Sequence, residues 1–331
     1  MKAARVSQPN VLEIVELPIP EPGPDDILNR VMASGICGTD IHILRGEYLG
    51  DYPVIPGHEF SGEVVGTGAR VTRFLPGDRV AVEPNIACDN CPACLNNRQN
   101  FCHNWQAVGV TRPGGMAQYV VAPEKAVFGI GDLPYEAGAF VEPLSCVLHG
   151  VQRLNPEIAA EIAIIGAGPI GCLLLQSLRA CGASRITVVD KNESRLATAA
   201  ELGADECATS LAGLRRDHYD AVVDATGAIP VMSQAIEFAR HGGQVLLFGV
   251  PPSGHTVSFD AFSIFRKGLT ILSSFTSVRN SLQALRLLQS GAIRVDRLIS
   301  HRLPLEELER GIGLIEHGAE GVRKVMVQPN S

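Results

Sequence analysis

The stretch that decides the fold runs from a short apolar segment into a glycine-rich turn, Ile162-Ala163-Ile164-Ile165-Gly166-Ala167-Gly168-Pro169-Ile170-Gly171. The apolar residues predict a buried strand, and Pro169 stands where a following helix would begin. Asp190 closes the next apolar run, nineteen residues after Gly171. A strand, a glycine turn, a helix and an acidic residue after the second strand are typical of a dinucleotide-binding unit.

The chemistry of this stretch favours NAD. Its glycines would let backbone N–H groups and the helix N-terminus approach a pyrophosphate. The Asp190 carboxylate can accept hydrogen bonds from a ribose diol and would repel a 2′-phosphate, which disfavours NADP. Lys191 and Arg195 follow closely, and their positive charge weakens that preference. A glycine turn without a ligand is the alternative, and the strand–helix–strand setting makes it the poorer explanation.

The rest of the chain divides around this unit. From Glu161 onward, apolar runs alternate with helical patterns, which predicts a parallel, doubly wound sheet of the Rossmann type. Fourteen of the 21 prolines lie in residues 1–143, between short β-branched runs, which predicts a β-rich module. Residues 277–331 do not continue the alternation and are expected to fold back on that module. We therefore predict an α/β chain with domains at 1–143, 144–276 and 277–331.

Four cysteines form a compact cluster, and they are spaced as Cys88-x₂-Cys91-x₂-Cys94-x₇-Cys102. Four thiolates this close favour a closed tetrahedral zinc site, which would hold a loop and take no part in chemistry. A small iron–sulfur site and unligated buried thiols are the alternatives.

A second candidate metal site lies in two segments rich in glycine and proline. Cys37 and His58-Glu59 offer a thiolate, an imidazole and a carboxylate, the donor types of a zinc site with an exchangeable position. Glu142, in an apolar setting at the domain boundary, is a further candidate ligand, although a helix N-terminal acid there is also common. Thr39 and His42 could pass a proton to solvent, or could be a turn hydroxyl and a surface histidine.

Composition excludes some partners and compartments. The net charge of −7, without a basic run, argues against nucleic acid and anionic membranes. No apolar run approaches the roughly 20 residues that span a bilayer. The N-terminus lacks the pattern of a signal peptide, so the protein is expected to be cytoplasmic, with its nine cysteines as metal ligands or buried thiols.

The motifs together resemble the zinc-containing medium-chain dehydrogenase/reductase family. The resemblance is carried over nearly the whole chain by residues 35–42, 57–62, 77–80 and 141–145, the four-cysteine lobe and the glycine motif. It implies a GroES-like catalytic domain split around a Rossmann domain. The segment at Glu142 is similar to that of the sorbitol and polyol dehydrogenases.

The resemblance also implies roles for particular residues. Cys37, His58 and either Glu59 or Glu142 would bind a catalytic zinc, and Thr39 and His42 match the proton-relay positions. Asp190 and Arg195 match contacts to the adenosine ribose. The positions that match the nicotinamide half are Thr226, Val250 and Phe275.

The implied activity is reversible oxidation of a secondary hydroxyl of a sugar alcohol to the ketose with NAD and two zinc ions per chain. Thr276 and Ile43 depart from the sorbitol dehydrogenase pattern, and residues 107–119 are closer to threonine dehydrogenase, the first alternative. A non-catalytic dinucleotide-binding protein is the second. By resemblance, the chain would form a homodimer or homotetramer, pairing through the strand at residues 269–272.

Overall fold

The computed structural model describes residues 1–48 and 51–331, which form two compact units. The first unit comprises residues 1–145, 277–290 and 299–331, and the second comprises residues 146–276 and 291–298. The predicted α/β class, with a β-rich module and a parallel sheet, is confirmed.

Strands and helices follow one another along the whole described chain. The strands are β1 (Lys2–Gln8), β2 (Val11–Glu16), β3 (Asp26–Gly35), β4 (Glu59–Thr67), β5 (Arg79–Val82), β6 (Asn85–Ile86), β7 (Gln106–Ala107), β8 (Tyr119–Pro123), β9 (Val127–Gly129), β10 (Glu161–Ile165), β11 (Arg185–Val189), β12 (Glu206–Ala208), β13 (Tyr219–Asp224), β14 (Ala239–Leu247), β15 (Thr270–Ser273), β16 (Ile299–Pro304) and β17 (Lys324–Gln328). The α-helices are α1 (Gly38–Arg45), α2 (Pro92–Leu95), α3 (Tyr135–Ala139), α4 (Val141–Leu154), α5 (Pro169–Ala180), α6 (Glu193–Glu201), α7 (Ile229–Gln234), α8 (Ala261–Lys267), α9 (Ser281–Gln289) and α10 (Leu308–Glu316).

The first unit is built on a sheet of order β16-β17-β3-β4-β5-β9, with β8 also paired to β3. Strand β3 lies between β17 and β4, and its last residue, Gly35, is in register with Glu59 on one side and with Met326 on the other. The chain therefore brings Cys37, Glu59 and Lys324 to the same end of the sheet, although Lys324 is far from the other two in sequence.

The second unit contains a wholly parallel sheet of order β12-β11-β10-β13-β14-β15. The central strand β10 is apolar throughout its buried length because both faces of a parallel sheet are covered. Strands β11 and β12 follow β10 outward on one side, and β13 lies on the other side, so the strand order reverses between β10 and β13. Ligands of such sheets bind outside the carboxyl ends of the strands at that point.

The two units differ from the predicted domain division at residues 144–145, which lie in the first unit, and at residues 291–298. Residues 291–298, assigned from sequence to the returning part of the first domain, lie in the second unit. The reason is their packing: Ile293 and Leu298 are buried, and the backbone of Arg294 exchanges hydrogen bonds of 2.8 and 3.0 Å with the Gln176 side chain of α5.

Across the parts of the chain that the structure describes, none of the helices combines the length and the apolar character needed to cross a membrane.

Candidate metal centres and cofactor site

The first unit brings together Cys37, His58 and Glu59. One ligand atom from each lies within 4.8 Å of the other two, and both His58 and Glu59 are buried. Donors about 2.0–2.3 Å from a tetrahedral zinc are themselves roughly 3.3–3.8 Å apart, so this grouping fits a single ion. Sulfur, nitrogen and oxygen donors of this kind suit zinc and leave a fourth position open.

A buried carboxylate, Asp40, builds this group. Its two oxygens accept the backbone N–H of Cys37 at 2.8 Å and that of Gly57 at 3.0 Å, which fixes the two ligand-bearing segments together. The Nδ1 atom of His58 lies 3.3 Å from Asp40, which leaves Nε2 as the ring nitrogen for a metal. Burial opposes the charge of Asp40, yet His58 and the two N–H groups hold the pKa of Asp40 below its ordinary value.

A buried lysine balances the charge at the other side. The Lys324 ammonium on β17 contacts the Glu59 carboxylate, and both side chains are almost fully buried. Burial disfavours the ammonium, but the charges of Glu59, Cys37 and Asp40 raise the pKa of Lys324 above its ordinary value. Gly35 is required beside this pair because a Cβ there would lie 2.5 Å from a Glu59 oxygen and 2.6 Å from Lys324 Cε.

Removing this ammonium is expected to destabilise the metal-free protein. In Lys324→Met, the Glu59 carboxylate stays buried without its partner, and the free energy of unfolding should fall by about 3 kcal/mol. Urea denaturation of protein from which a chelator has removed the metal measures the change in the free energy of unfolding. Lys125→Met, at a half-exposed surface pair with Asp89, is the matched control and should lose less than about 1 kcal/mol. Equal losses in the two variants would contradict the assigned role of Lys324.

The structure distinguishes the two candidate carboxylates. Among the described residues, Glu59 and not Glu142 belongs to the group of donors within 4.8 Å. Glu142 lies in the first turn of α4, in the same unit, and is buried. Its side chain is therefore placed in the interior of the unit without joining the three-donor group.

The two candidate relay residues share a face of α1. Thr39 and His42 are three residues apart on this helix, a spacing that makes their side chains neighbours. The His42 ring is about one quarter exposed, and its Nδ1 atom lies 2.8 Å from Glu47 Oε2. His42 thus has access to water while one ring nitrogen is held by a carboxylate.

The second metal group is the four-cysteine lobe. The sulfur atoms of Cys88, Cys91, Cys94 and Cys102 all lie within 4.8 Å of one another. Two of the sulfur–sulfur separations, 4.0 Å for Cys88–Cys94 and 3.5 Å for Cys91–Cys94, are too long for disulfides and match the roughly 3.8 Å between thiolates on one zinc. All nine cysteines of the chain are free of disulfides.

The electrostatics of this lobe favour a cation. Backbone N–H groups, those of Cys94 and His103 foremost, lower the pKa of Cys91 to about 6. Burial and the neighbouring sulfurs raise the pKa of Cys94 to about 12. Four thiolates cannot share this space while charged unless a positive ion compensates them, so the donors fit a closed structural zinc.

Loss of one lobe cysteine should release one zinc. In Cys94→Ser we expect the zinc content to fall from two ions to one per chain, and trypsin to cut at exposed Arg98 about tenfold faster because the lobe opens. Metal analysis measures the zinc content, and limited proteolysis measures the rate of cleavage. Cys181→Ser, an exposed cysteine of the second unit, is the control. Two zinc ions retained in Cys94→Ser would exclude a zinc in the lobe.

The glycine motif of the second unit forms the expected turn. Gly166 follows β10 with a φ of +109°, which side chains rarely adopt, and a Cβ on Gly171 would lie 1.8 Å from the Gly166 oxygen. A Cβ on Gly168 would meet open space, and Pro169 and Ile170 open helix α5 directly after it. The helix N-terminus is therefore approachable, as a pyrophosphate site requires.

Asp190 is fixed beside this turn. It follows β11, and its carboxylate accepts the N–H of Ala167 at 2.8 Å and the N–H of Asn192 at 2.9 Å. Lys191 is exposed and Arg195 is half-buried on α6. Each Asp190 oxygen retains a further lone pair for a ribose hydroxyl.

The other cofactor candidates lie at the same edge of this sheet. Thr226, Val250 and Phe275 follow the carboxyl ends of β13, β14 and β15. Val250 is 58% exposed and Phe275 is 37% exposed, unusually high for large apolar side chains. Thr226 donates a 2.6 Å hydrogen bond to buried Asp224. All the predicted cofactor residues therefore line one edge of the second unit.

Two residues that support the metal group were not found from the sequence. Asp40 lies beside the predicted ligands, and the signal that could identify its supporting role is its position three residues after Cys37, at N3 of a helix, where acids cap. Lys324 carries no such signal, because only the pairing of β17 with β3 brings it to Glu59.

Comparison with known proteins agrees with this fold and these donors. Residues 23–132 match the alcohol dehydrogenase GroES-like domain, and residues 169–290 match the zinc-binding dehydrogenase domain. D-altritol 5-dehydrogenase from Agrobacterium fabrum is 41% identical over 89% of this chain and 90% of its own. L-threonine 3-dehydrogenase from Bacillus velezensis is 33% identical over 95% of this chain and 94% of its own.

A solved structure is similar over nearly the full length. It is a zinc-binding dehydrogenase from Sinorhizobium meliloti 1021 bound to NADP, with a TM-score of 0.95 and 38% identity over 99% of each chain. The fold and the two donor groups define a zinc-binding dehydrogenase. The chain belongs to the zinc-containing medium-chain dehydrogenase/reductase family, as its motifs predicted.

Proposed function

We propose that this protein is an NAD-dependent zinc dehydrogenase that reversibly oxidises a secondary hydroxyl of a sugar alcohol to the ketose. The observation that carries the proposal is the 41% identity to D-altritol 5-dehydrogenase over nine-tenths of both chains. The grouping of Cys37, His58 and Glu59 supports it, because a protein that only bound the dinucleotide would have no need of those three donors.

Two zinc ions are assigned to the first unit. Cys37, His58 and Glu59 would hold the catalytic ion, and the four-cysteine lobe would hold the structural ion. Zinc, when bound, supplies Lewis acidity that makes the hydroxyl of a substrate easier to deprotonate. Asp40 orients His58, and Lys324 positions Glu59. Glu142 is a further buried carboxylate of the same unit, and we assign it a contact with the metal or the polyol, either direct or through water.

The proton released from the substrate hydroxyl is assigned to a short relay. Thr39 Oγ1 would take it and pass it to the His42 ring, which is partly exposed and can release it to water. Glu47 binds Nδ1, so Nε2 is the nitrogen left to receive the proton. In the ketone direction the same groups return the proton.

The second unit would hold the dinucleotide. Gly166, Gly168 and the start of α5 would bind the pyrophosphate, and Asp190 the adenosine ribose. The nicotinamide half would rest on Thr226, Val250 and Phe275. NAD, when bound, accepts the hydride of the carbon that carries the oxidised hydroxyl, so the two electrons leave the polyol as the ketone forms.

We assign NAD rather than NADP because of Asp190. Its carboxylate accepts two backbone N–H groups, which fix it after the second strand of the glycine motif, and an acidic residue there favours a ribose diol over a 2′-phosphate. Lys191 and Arg195 stand nearby, and the similar Sinorhizobium protein binds NADP. The preference of Asp190 variants for NAD or NADP shows directly whether the carboxylate outweighs the two nearby positive charges.

L-threonine oxidation is the second candidate function. It is favoured by the 33% identity to an L-threonine 3-dehydrogenase and by residues 107–119, which are similar to those of such enzymes. The amino acid would require a carboxylate for its ammonium group, and Asp40 is already engaged by Cys37, Gly57 and His58.

A substrate panel separates these functions. NADH formation is followed with enzyme of known zinc content on pentitols, hexitols, their phosphate esters, L-threonine and simple alcohols. We expect kcat/KM for at least one polyol to exceed that for threonine by about a hundredfold or more. Turnover of threonine alone would move the assignment to the second candidate, and stoichiometric NADH binding without turnover would indicate a non-catalytic protein.

A further inference from the structure

A buried histidine of the second unit has no part in the proposed function. His149 lies on α4, and its side chain is largely buried. Arg153 follows it by one turn on the same face of the helix. Both side chains reach the short segment at residues 273–276, which begins with the last residue of β15 and contains Phe275.

These two side chains bind the backbone of that segment. The Nδ1 atom of His149 lies 2.8 Å from the carbonyl oxygen of Thr276 and 3.3 Å from the hydroxyl of Ser274. Arg153 Nε donates a 2.6 Å hydrogen bond to the carbonyl of Ser273. The contacts flank Phe275 on both sides in sequence, so they determine where its backbone lies.

Close packing leaves the segment little freedom. A Cβ on Gly150 would lie 2.7 Å from the Phe248 ring and 3.6 Å from Ser274 Cβ, so α4 rests directly on this edge of the sheet. The absence of a side chain at position 150 allows His149 to approach the backbone carbonyls. The hydrogen bond of His149 is therefore part of a packed contact and is not a loose surface interaction.

The held segment is strained. Thr276 has a φ of +49°, a backbone conformation that β-branched residues rarely adopt. Its Oγ1 atom is buried, and among the described residues it has no hydrogen-bond partner. Such a conformation persists only where the surroundings enforce it, and it is found where a protein holds a ligand-binding segment in place. The contact from His149 to the Thr276 carbonyl is one that enforces it.

The protonation of His149 agrees with this contact. Burial, aided by the charge of Arg153, lowers the pKa of His149 below its ordinary value in spite of the backbone carbonyls nearby. The ring is thus neutral near pH 7. Because a carbonyl can only accept, the single ring proton lies on Nδ1 and is donated to Thr276.

We propose that His149 is a positioning residue for the cofactor: it holds the strained segment at 273–276 so that Phe275 supports the nicotinamide half. The inference rests on the proposed function, which assigns Phe275 to the nicotinamide. His149 itself touches neither cofactor nor substrate. It acts through the backbone at Thr276.

The affinities for two nucleotides distinguish positioning of the nicotinamide half by His149 from a general effect of the substitution on the second unit. NADH carries the nicotinamide, whereas ADP-ribose presents only the adenosine, pyrophosphate and second ribose. We expect His149→Leu to bind NADH about tenfold more weakly and ADP-ribose unchanged. His149→Asn keeps an N–H donor near the position of Nδ1 and should bind NADH within about threefold of wild type. The KM for the polyol at saturating NAD should stay unchanged in both variants.

The matched control is His317→Asn. Its Nδ1 also lies against a backbone carbonyl, that of Gly313 at 2.7 Å, but it is exposed and belongs to the first unit. NADH affinity equal to wild type in His149→Leu would overturn the inference, and so would equal weakening of NADH and ADP-ribose. Wild-type protein that binds neither nucleotide would instead contradict the proposed function.

Discussion

Cys37→Ser is expected to lower kcat/KM for the polyol by at least about a thousandfold while NADH binding stays within twofold of wild type. The thiolate is one of the three donors that the described residues bring together, with His58 and Glu59, and a serine hydroxyl is a poor zinc ligand at neutral pH. The rate loss follows because the Lewis acidity of the ion contributes several kcal/mol to the stabilisation of the developing charge.

Metal analysis links this rate loss to the site. Cys37→Ser should retain one zinc per chain, held by the four-cysteine lobe, whereas we expect the wild type to hold two. Cys207→Ser removes an exposed thiol of the second unit and should keep both ions and full activity. A Cys37→Ser enzyme that retains two zinc ions and activity within tenfold of wild type would show that the reaction does not depend on this group.

The second large effect concerns the dinucleotide. Asp190→Ser should lower kcat/KM with NAD by about a hundredfold, since two charge-assisted hydrogen bonds to a ribose diol are lost. The same change removes the repulsion of a 2′-phosphate, with Lys191 and Arg195 nearby, so kcat/KM with NADP should rise. Steady-state kinetics with both cofactors measure the ratio of the two kcat/KM values.

The ratio of kcat/KM with NAD to kcat/KM with NADP distinguishes a role of Asp190 in cofactor recognition from a purely structural role. Asp190 also accepts the N–H groups of Ala167 and Asn192, and a purely structural loss would weaken NAD and NADP alike. Glu193→Ser, an exposed acid on the first turn of α6, should leave the ratio unchanged. A wild-type enzyme that prefers NADP, or an Asp190→Ser enzyme with an unaltered ratio, would contradict the assignment of NAD.

The sequence predicts those features whose residues are close together in the chain. The turn at Gly166 and the four-cysteine lobe each fall within about fifteen residues or fewer, so spacing alone indicates their chemistry. The α/β class and the family were predicted from many such local patterns spread along the chain, and both are confirmed. The site roles remain predictions, which the cysteine and aspartate variants test.

Features that depend on distant contacts could not be read from the sequence. Lys324 reaches Glu59 only because β17 pairs with β3, and a single lysine in an apolar strand carries no motif. His149 carries no signal either, because its partner, the Thr276 carbonyl, belongs to the backbone and has no sequence signature. The grouping of residues 291–298 with the second unit likewise carries no sequence signal, because it involves hydrogen bonds between the Arg294 backbone and the distant Gln176 side chain.

We propose above all that a polyol binds at a metal ion held by Cys37, His58 and Glu59. The measurement that tests it most directly is the absorption spectrum of cobalt-substituted enzyme during titration with the best polyol of the panel. Cobalt bound by a thiolate absorbs in the visible range, and Cys37→Ser enzyme supplies the spectrum of the four-cysteine lobe alone. We predict bands that are absent from Cys37→Ser and that shift as the polyol binds. Bands identical in the two proteins, or bands that the polyol does not move, would contradict the claim.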